Sequence, residues 1–207
     1  MLNLTIEAFE APQLLVLWVV DLLLLLKSWQ LLVTASSSAT VSFVDGTSDV
    51  VLDDTYKEYM FTFNNMHPAT DNTFFNVNFS IDSGSNYNVA KTTTFFFAYH
   101  KEDDTAAALA YEGDQDLAQG TGFQRLGVSV ANDNDSGVSG YLHLFNPSST
   151  TFVKHFISTV NNFSGGDFCD NNYIAGYANT TSAVDAVQFK MESGNTDAGD
   201  ICLYGIK

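Results

Sequence analysis

The chain has 207 residues, enough for one well-filled core, and carries 24 acidic against 8 basic side chains, a formal net charge of −16 at pH 7. This charge repels a phosphate backbone, so nucleic acid is not expected as a direct partner. The two cysteines, Cys169 and Cys202, are too few for a disulfide framework. The sequence does not decide whether these two cysteines form a single disulfide bridge.

The first predicted element is a hydrophobic N-terminal extension, residues 1–33. Its apolar part, LLVLWVVDLLLLLKSWQLLV, approaches the ~20 residues of a membrane helix, but Asp21 and Lys27 interrupt it. A mid-helix Asp costs about 2.5–3.5 kcal/mol on insertion scales, and the acidic start is unlike a signal peptide. Three interpretations remain: a helix packed on the domain or on a neighbouring subunit, a weak membrane anchor, or a start codon placed too far upstream. We favour the third, and do not expect a membrane partner.

The second predicted unit, residues 34–207, is an all-β domain. Short runs of aromatic and β-branched residues alternate with clusters of Asn, Asp, Gly and Ser. Their number and spacing predict an antiparallel β-sandwich of the jelly-roll type, with about ten strands. The predicted strands are Thr40–Val44, Tyr56–Phe63, Thr73–Ile81, Thr94–Tyr99, Phe123–Val130, Ser139–Asn146, Thr151–Val160, Tyr173–Ala178, Ala186–Met191 and Ile201–Ile206.

Alternation within the strands predicts which side chains face the core. Tyr59, Phe61 and Phe63 fall on one face of their strand, and the residues between them fall on the other. The last strand, Ile201–Ile206, is apolar on both faces. It is therefore predicted to be a central strand, buried on two sides.

Two local elements carry more specific predictions. The turn sequence NPSST predicts that Leu142–Phe145 and Phe152–His155 pair as an antiparallel hairpin, with His143 opposite or diagonal to Lys154. The Ala-rich segment Asp103–Tyr111 predicts one short helix, capped by an Asp at its start, because Ala favours helix strongly.

The sequence indicates no catalytic chemistry. Its four histidines have neither HxH nor HExxH spacing, and it contains no P-loop and no Ser-centred elbow. Acidic pairs such as Asp53 and Asp54 would suit a glycosidase only at the right separation, and nothing in the spacing selects a pair. We therefore predict no catalytic residues and no enzyme activity.

One loop has a composition that suits calcium. The segment NDNDSG, residues 132–137, offers oxygen ligands from Asp133 and Asp135 next to a glycine turn. The EF-hand pattern fails, because the twelfth position from Asn132 is His143. The alternative, which we favour, is a plain turn whose side chains bond their own backbone. No other cofactor is predicted.

Five segments resemble structural proteins of marine tailed phages: TYKEYMFTFNNMHPATDN, YNVAKTTTFFFAYH, GYLHLFNPSSTTFVKHF, GYANTTSAVDAVQFKM and SGNTDAGDICLYGIK. The similarity spans roughly Leu32 to Lys207. The closing pattern, an aromatic strand, SGN, a Gly and a strand ending LYGI, is similar to the C-terminal strand pair of many phage tail and surface proteins. The resemblance implies a β-sandwich located on the virion, without catalytic residues, and it has no counterpart for the N-terminal extension.

We expect a non-enzymatic virion structural protein: a head decoration, fibre or tail-associated surface domain. It would assemble as a homo-oligomer, most readily a trimer or larger ring, and contact other virion proteins. The alternative is a lectin-like module that attaches to host-surface glycans. In that case Tyr87, Tyr111 and Tyr173 are the loop aromatics predicted to stack on sugar rings.

Overall fold

The computed structural model describes residues 27–207, which form twelve β-strands and no helix. Every pairing between strands is antiparallel, so the predicted all-β class is confirmed. This part of the chain accordingly contains no helix that could cross a membrane. The strands are β1 (Lys27–Thr34), β2 (Val41–Val44), β3 (Glu58–Pro68), β4 (Thr73–Ser80), β5 (Lys91–Lys101), β6 (Ala107–Tyr111), β7 (Gln124–Val130), β8 (Val138–Phe145), β9 (Lys154–Ser164), β10 (Phe168–Ala178), β11 (Ala186–Met191) and β12 (Thr196–Ile206).

Eight of the strands form a jelly roll. Hydrogen bonds join β1-β12-β3-β8 side by side, and they join β2-β11-β4-β7 in the same way. The pairs β1 and β2, β3 and β4, β7 and β8, and β11 and β12 each have one strand in either sheet. The two strands of a pair occupy the same position in the two orders. This order arises when antiparallel ribbons wrap around a common core, as in the eight-stranded jelly roll.

The other four strands extend the first of these sheets, in the order β8-β9-β10-β5-β6. We call the resulting eight-stranded sheet the larger sheet and β2-β11-β4-β7 the smaller sheet. The two are joined by one bridge, between Val130 of β7 and Ser164 of β9. Further along, Thr93 Oγ1 of β5 donates a hydrogen bond to Gln124 Oε1 of β7 at 2.6 Å. The extension thus lies along the β7 edge of the smaller sheet.

Aromatic rings from both sheets fill the space between them. The ring of Phe61 on β3 lies 5.2 Å from that of Phe43 and 5.3 Å from that of Phe189, both on the smaller sheet. Phe63 lies 5.1 Å from Phe75. The three alternating aromatics predicted to face the core are all buried. Such ring pairs contribute about 0.5–1.5 kcal/mol each beyond the area they bury.

The predicted helix over Asp103–Tyr111 is wrong. Ala107–Tyr111 forms β6, which pairs with β5 and places Tyr111 opposite Phe96. The backbone of β5 offers a full row of partners there, and sheet pairing outweighs the helix preference of Ala, which is a weak local term. A short connection precedes the strand, in which Lys101 N–H donates to the carbonyl of Ala106 at 2.8 Å.

The predicted hairpin has the right partners and the wrong register. Strands β8 and β9 pair, but Leu142 lies opposite Ser158 and His143 lies opposite Ile157 rather than Lys154. The reason is that β9 begins only at Lys154, after a longer loop. The buried ammonium of that lysine donates to two carbonyl oxygens at 2.9 and 3.0 Å.

The two ends of the described chain are neighbours in the larger sheet. Most of the predicted N-terminal extension, residues 1–26, lies outside the described residues, whereas residues 27–33 belong to β1, which pairs with β12. Strand β12 in turn pairs with β3, so its central position agrees with the prediction. Its burial is one-sided: Ile201 and Leu203 are fully buried, while Cys202 and Tyr204 are half-buried.

Candidate functional site

The larger sheet has one face that points away from the smaller sheet, which we call the outer face. Cross-strand register aligns one side chain from each of its eight strands into a row on this face. The row consists of Leu32, Cys202, Thr62, Tyr141, Thr159, Tyr173, Phe96 and Tyr111. In the neighbouring row on the inner side, Leu203, Phe61 and Phe95 are fully buried.

The large apolar side chains that remain exposed are concentrated on the outer face. Nine such side chains occur among the described residues, and only Ile81 and Phe152 lie elsewhere. Contiguous exposed apolar surface of more than a few hundred Å² marks interaction sites in soluble proteins. The seven on the outer face are Trp29, Leu32, Phe96, Leu109, Tyr111, Tyr141 and Ile157.

The centre of the outer face is also depleted of charge. The row through Tyr141 contains no Asp, Glu, Lys or Arg, and neither does the row through His143. The row on the other side, through Leu109, contains one carboxylate, that of Asp200, which accepts a hydrogen bond from Thr34 Oγ1. Glu58 lies one row beyond that of His143, and its carboxylate pairs with His143. In a chain with 24 acidic residues, composition alone does not produce such a surface. Depletion of charge with enrichment of aromatic rings is typical of interface cores.

Two of the three predicted sugar-stacking tyrosines come together on this face. Tyr173 stacks on Phe96, and Tyr111 lies opposite Phe96 in the next strand. Both tyrosines belong to strands, not to loops as predicted. Tyr87 stays apart from them in a loop, where its carbonyl accepts a hydrogen bond from Asn78 Nδ2 at 2.6 Å. Phe96 was not among the predicted residues, because a run of three Phe in a strand resembles core.

The predicted calcium loop connects β7 to β8. Asp133 and Asp135 are both exposed there, and Ser136 N–H donates to the carbonyl oxygen of Asp133 at 2.8 Å. His67 Nε2 lies 3.1 Å from the same oxygen. Across residues 27–207, no three His, Cys, Asp or Glu side chains are grouped so that they could hold a metal ion. The bond between Ser136 and Asp133 is the backbone hydrogen bond of a turn.

A pocket of about 610 Å³ lies against the inner side of β5 and β10, where these strands pass the β7 edge of the smaller sheet. We call it the β5–β10 pocket. Its aromatic wall comes mainly from β5, where Phe97 and Tyr99 stack with centroids 5.3 Å apart. Phe168 of β10 meets Tyr99 at 84° and 5.5 Å. Phe74 of β4 completes the aromatic lining.

The polar lining of the β5–β10 pocket is acidic. Three carboxylates line it, those of Asp71, Glu112 and Asp170, and none of its lining residues is Lys, Arg or His. Asp170 is almost completely buried, and this burial raises the pKa of its carboxyl group to about 6. Hydrogen bonds from Ser164 and Asn162 oppose the rise only in part.

Two buried lysines lie at the other end of β5 and β9. Lys91 and Lys154 sit in one cross-strand row, on either side of Ala178. Lys91 Nζ donates to Asn78 Oδ1 at 2.5 Å and to the carbonyl of Val89 at 2.8 Å. Burial lowers the pKa of Lys91 to about 7. These amines fasten neighbouring segments to the sheet, and neither lines the β5–β10 pocket.

Cys169 and Cys202 are both free thiols, so the bridge that the sequence left open does not form. They lie on β10 and β12, which are separated by β3, β8 and β9. Comparisons of the chain with protein-family models, with curated proteins and with solved structures find no match.

Proposed function

We propose that the protein is a non-enzymatic structural component of a virion, and that its outer face is the contact between its copies. The observation that carries this proposal is the pair of adjacent rows of the outer face, through Tyr141 and through His143, without Asp, Glu, Lys or Arg. Aromatic and aliphatic side chains take the place of the charges there.

The charge of the chain makes this face the most favourable place for contact between two copies. Two molecules that each carry a formal charge of −16 repel one another over most of their surfaces. The outer face is the part where this repulsion is weakest and where apolar burial is largest. An interface of standard size buries about 800 Å² per partner, and apolar area contributes about 25 cal/mol per Å². An eight-stranded sheet face offers room for such a contact.

The location on a virion rests on the resemblance to structural proteins of marine tailed phages. The jelly roll is compatible with it, because this architecture serves in viral capsids, but it also serves in lectins and therefore does not assign a function. Mass spectrometry of fractionated particles tests the location. We expect the protein to co-purify with particles in many copies; recovery only from the soluble host fraction would contradict the proposal.

The subunit contact is tested with two isoleucines. Ile157 lies on the outer face at 49% exposure, and Ile81 lies elsewhere at 42% exposure, so the two are matched in type and accessibility. By light scattering and sedimentation we expect the wild-type chain to be a homo-oligomer. Ile157→Asp should weaken the association at least tenfold, whereas Ile81→Asp should leave it unchanged. A wild-type monomer at high concentration, or equal effects of both variants, would refute the contact.

A second candidate function, recognition of carbohydrate, is favoured by the run Tyr173, Phe96, Tyr111 on the outer face. Neighbouring rings on a sheet surface suit stacking on sugar rings. The two candidates make different predictions for NMR titrations with glycans. Carbohydrate binding predicts shifts of the Phe96 and Tyr173 resonances that saturate, while a pure subunit contact predicts none.

A further inference from the structure

We propose that the β5–β10 pocket is a binding site for an alkylammonium group, held by aromatic rings and carboxylates. This function is separate from the subunit contact, because the pocket opens on the inner side of β5 and β10 and the contact uses their outer face. The volume of about 610 Å³ is that of a site for a small molecule or for one side chain of a partner.

The aromatic lining has the arrangement that attracts cations. Phe97 and Tyr99 lie side by side, and Phe168 meets Tyr99 at 84°, so the rings form a corner rather than a flat platform. A cation within about 6 Å of a ring centroid is attracted by the negative face of the ring. The protein already uses this interaction nearby, since the Arg125 guanidinium stacks 3.8 Å from the centroid of Phe74.

The charges that line the pocket favour a positively charged ligand. Asp71, Glu112 and Asp170 are not balanced by any basic lining residue. Arg125 behind Phe74 is already engaged, because it donates to Glu192 at 2.9 Å and to Gln115 at 2.7 Å. An anionic ligand would be repelled. A neutral sugar would bury the carboxylates further without neutralising them, which is costly. An ammonium group supplies the missing positive charge.

Asp170 gives the strongest local reason for a cation. Its side chain is only 5% exposed, and within residues 27–207 no Lys, Arg or His forms an ion pair with it. The other titratable groups that line the pocket are Tyr99 on β5, Asp71 before β4 and Glu112 after β6. Lys101 lies beside the pocket, 6.0 Å from the ring centroid of Phe168, and its ammonium is already paired with Asp103 at 2.7 Å. A buried carboxylate without a counter-charge is unfavourable. A bound ammonium removes that penalty, so affinity should rise with pH as Asp170 loses its proton.

The test is calorimetric titration of the full chain with choline and with its neutral isostere, in which a tert-butyl group replaces the trimethylammonium group. We expect choline to bind at least tenfold more tightly than the isostere, and its affinity to rise as pH increases through about 6, the pKa of Asp170. Equal binding of the two probes would overturn the proposal, as would binding of a methyl glycoside in preference to choline.

Variants and a second probe complete the test. Asp170→Asn should weaken choline binding about tenfold and remove its pH dependence, and Glu112→Gln, at a half-buried position, should weaken it independently. Asp49→Asn, in an exposed turn after β2, is the matched control and should bind as the wild type does. The second probe is Nα-acetyl-lysine amide, whose side-chain ammonium is free. If it binds more tightly than choline, the natural ligand is a lysine side chain of a partner protein. If choline binds more tightly, the natural ligand is a free amine. If neither probe binds, the proposal is wrong, and Ile157→Asp shows separately whether the subunit contact stands.

Discussion

Tyr173 stacks on Phe96 across the pair of strands β10 and β5, with ring centroids 4.9 Å apart and ring planes 10° from parallel. Phe96 is 41% exposed, while its sequence neighbour Phe95 is fully buried on the other face of the same strand. The two adjacent phenylalanines therefore separate the surface of the larger sheet from its core.

This pair gives the first prediction. Phe95→Ala should lower the free energy of unfolding by about 3–5 kcal/mol, as for other buried aromatics. Phe96→Ala should cost only about 1 kcal/mol, the scale of one stacked ring pair. Urea denaturation of both variants under dissociating conditions measures the difference. Equal losses would show that the outer face is packed against something in the monomer.

The second prediction concerns pH and Lys91. The pKa of this amine is 10.5 in the unfolded chain and about 7 in the folded protein. Between these values the unfolded chain binds more protons, so the contribution of Lys91 to the free energy of unfolding rises with pH from about 7 towards 10.5. We expect Lys91→Met to lose this rise relative to the wild type in urea denaturation at several pH values. Parallel pH profiles for the two proteins would contradict the prediction.

The third prediction concerns Gly140 of β8. A Cβ there would overlap the carbonyl oxygen of Thr159 and the Cα of Val160 on β9, and the φ angle of +154° is one that other residues rarely adopt. Gly140→Ala should therefore destabilise the protein by about 2–3 kcal/mol. Gly113→Ala is the control, because nothing lies within 4 Å of a Cβ at that position. Thermal unfolding that ranks the two variants the other way would refute the close approach of β8 and β9.

The fourth prediction concerns β12. Deleting residues 201–207 removes the strand between β1 and β3 and should abolish cooperative unfolding. Two point variants test the same strand more gently. Leu203→Ala should lower the free energy of unfolding by about 2–5 kcal/mol, while Cys202→Ala, on the half-buried face, should lower it by much less. A truncated chain that stays soluble and melts cooperatively would show that β12 is peripheral.

The parts of the fold that the sequence predicts well are those where burial alternates with period two. Tyr59, Phe61 and Phe63 illustrate this, because one face of β3 packs on the smaller sheet and the other does not. The pattern fails where polar side chains face inwards. Asn162 and Asn172 bond to each other at 2.7 Å between β9 and β10, so the polar segment around them forms strand where the sequence suggests loop.

The candidate sites depend on register, which local sequence does not contain. In the outer-face row, Tyr173, Phe96 and Tyr111 lie directly opposite one another on neighbouring strands. This register is set by the pairing of β10 with β5 and of β5 with β6. Asp170 likewise belongs to a pocket only because β10 passes the edge of the smaller sheet. The hairpin register and the helix over residues 103–111 were mistaken for a related reason: each is decided by pairing with the neighbouring strand, β8 with β9 and β5 with β6, and not by the preferences of the single segment.

The pairing of β1 with β12 has a consequence for how the chain is made. Thr34 Oγ1 donates to Asp200 Oδ1 across 166 residues of sequence, so the first described strand meets its partner only when the final strand has been synthesised. Until then the nascent chain holds an unpaired, leucine-bearing strand that can pair with a neighbouring chain. Folding of such a long-range topology is slow and prone to aggregation. The protein should therefore depend on chaperones during translation and be sensitive to ribosome stalling before the codons of β12.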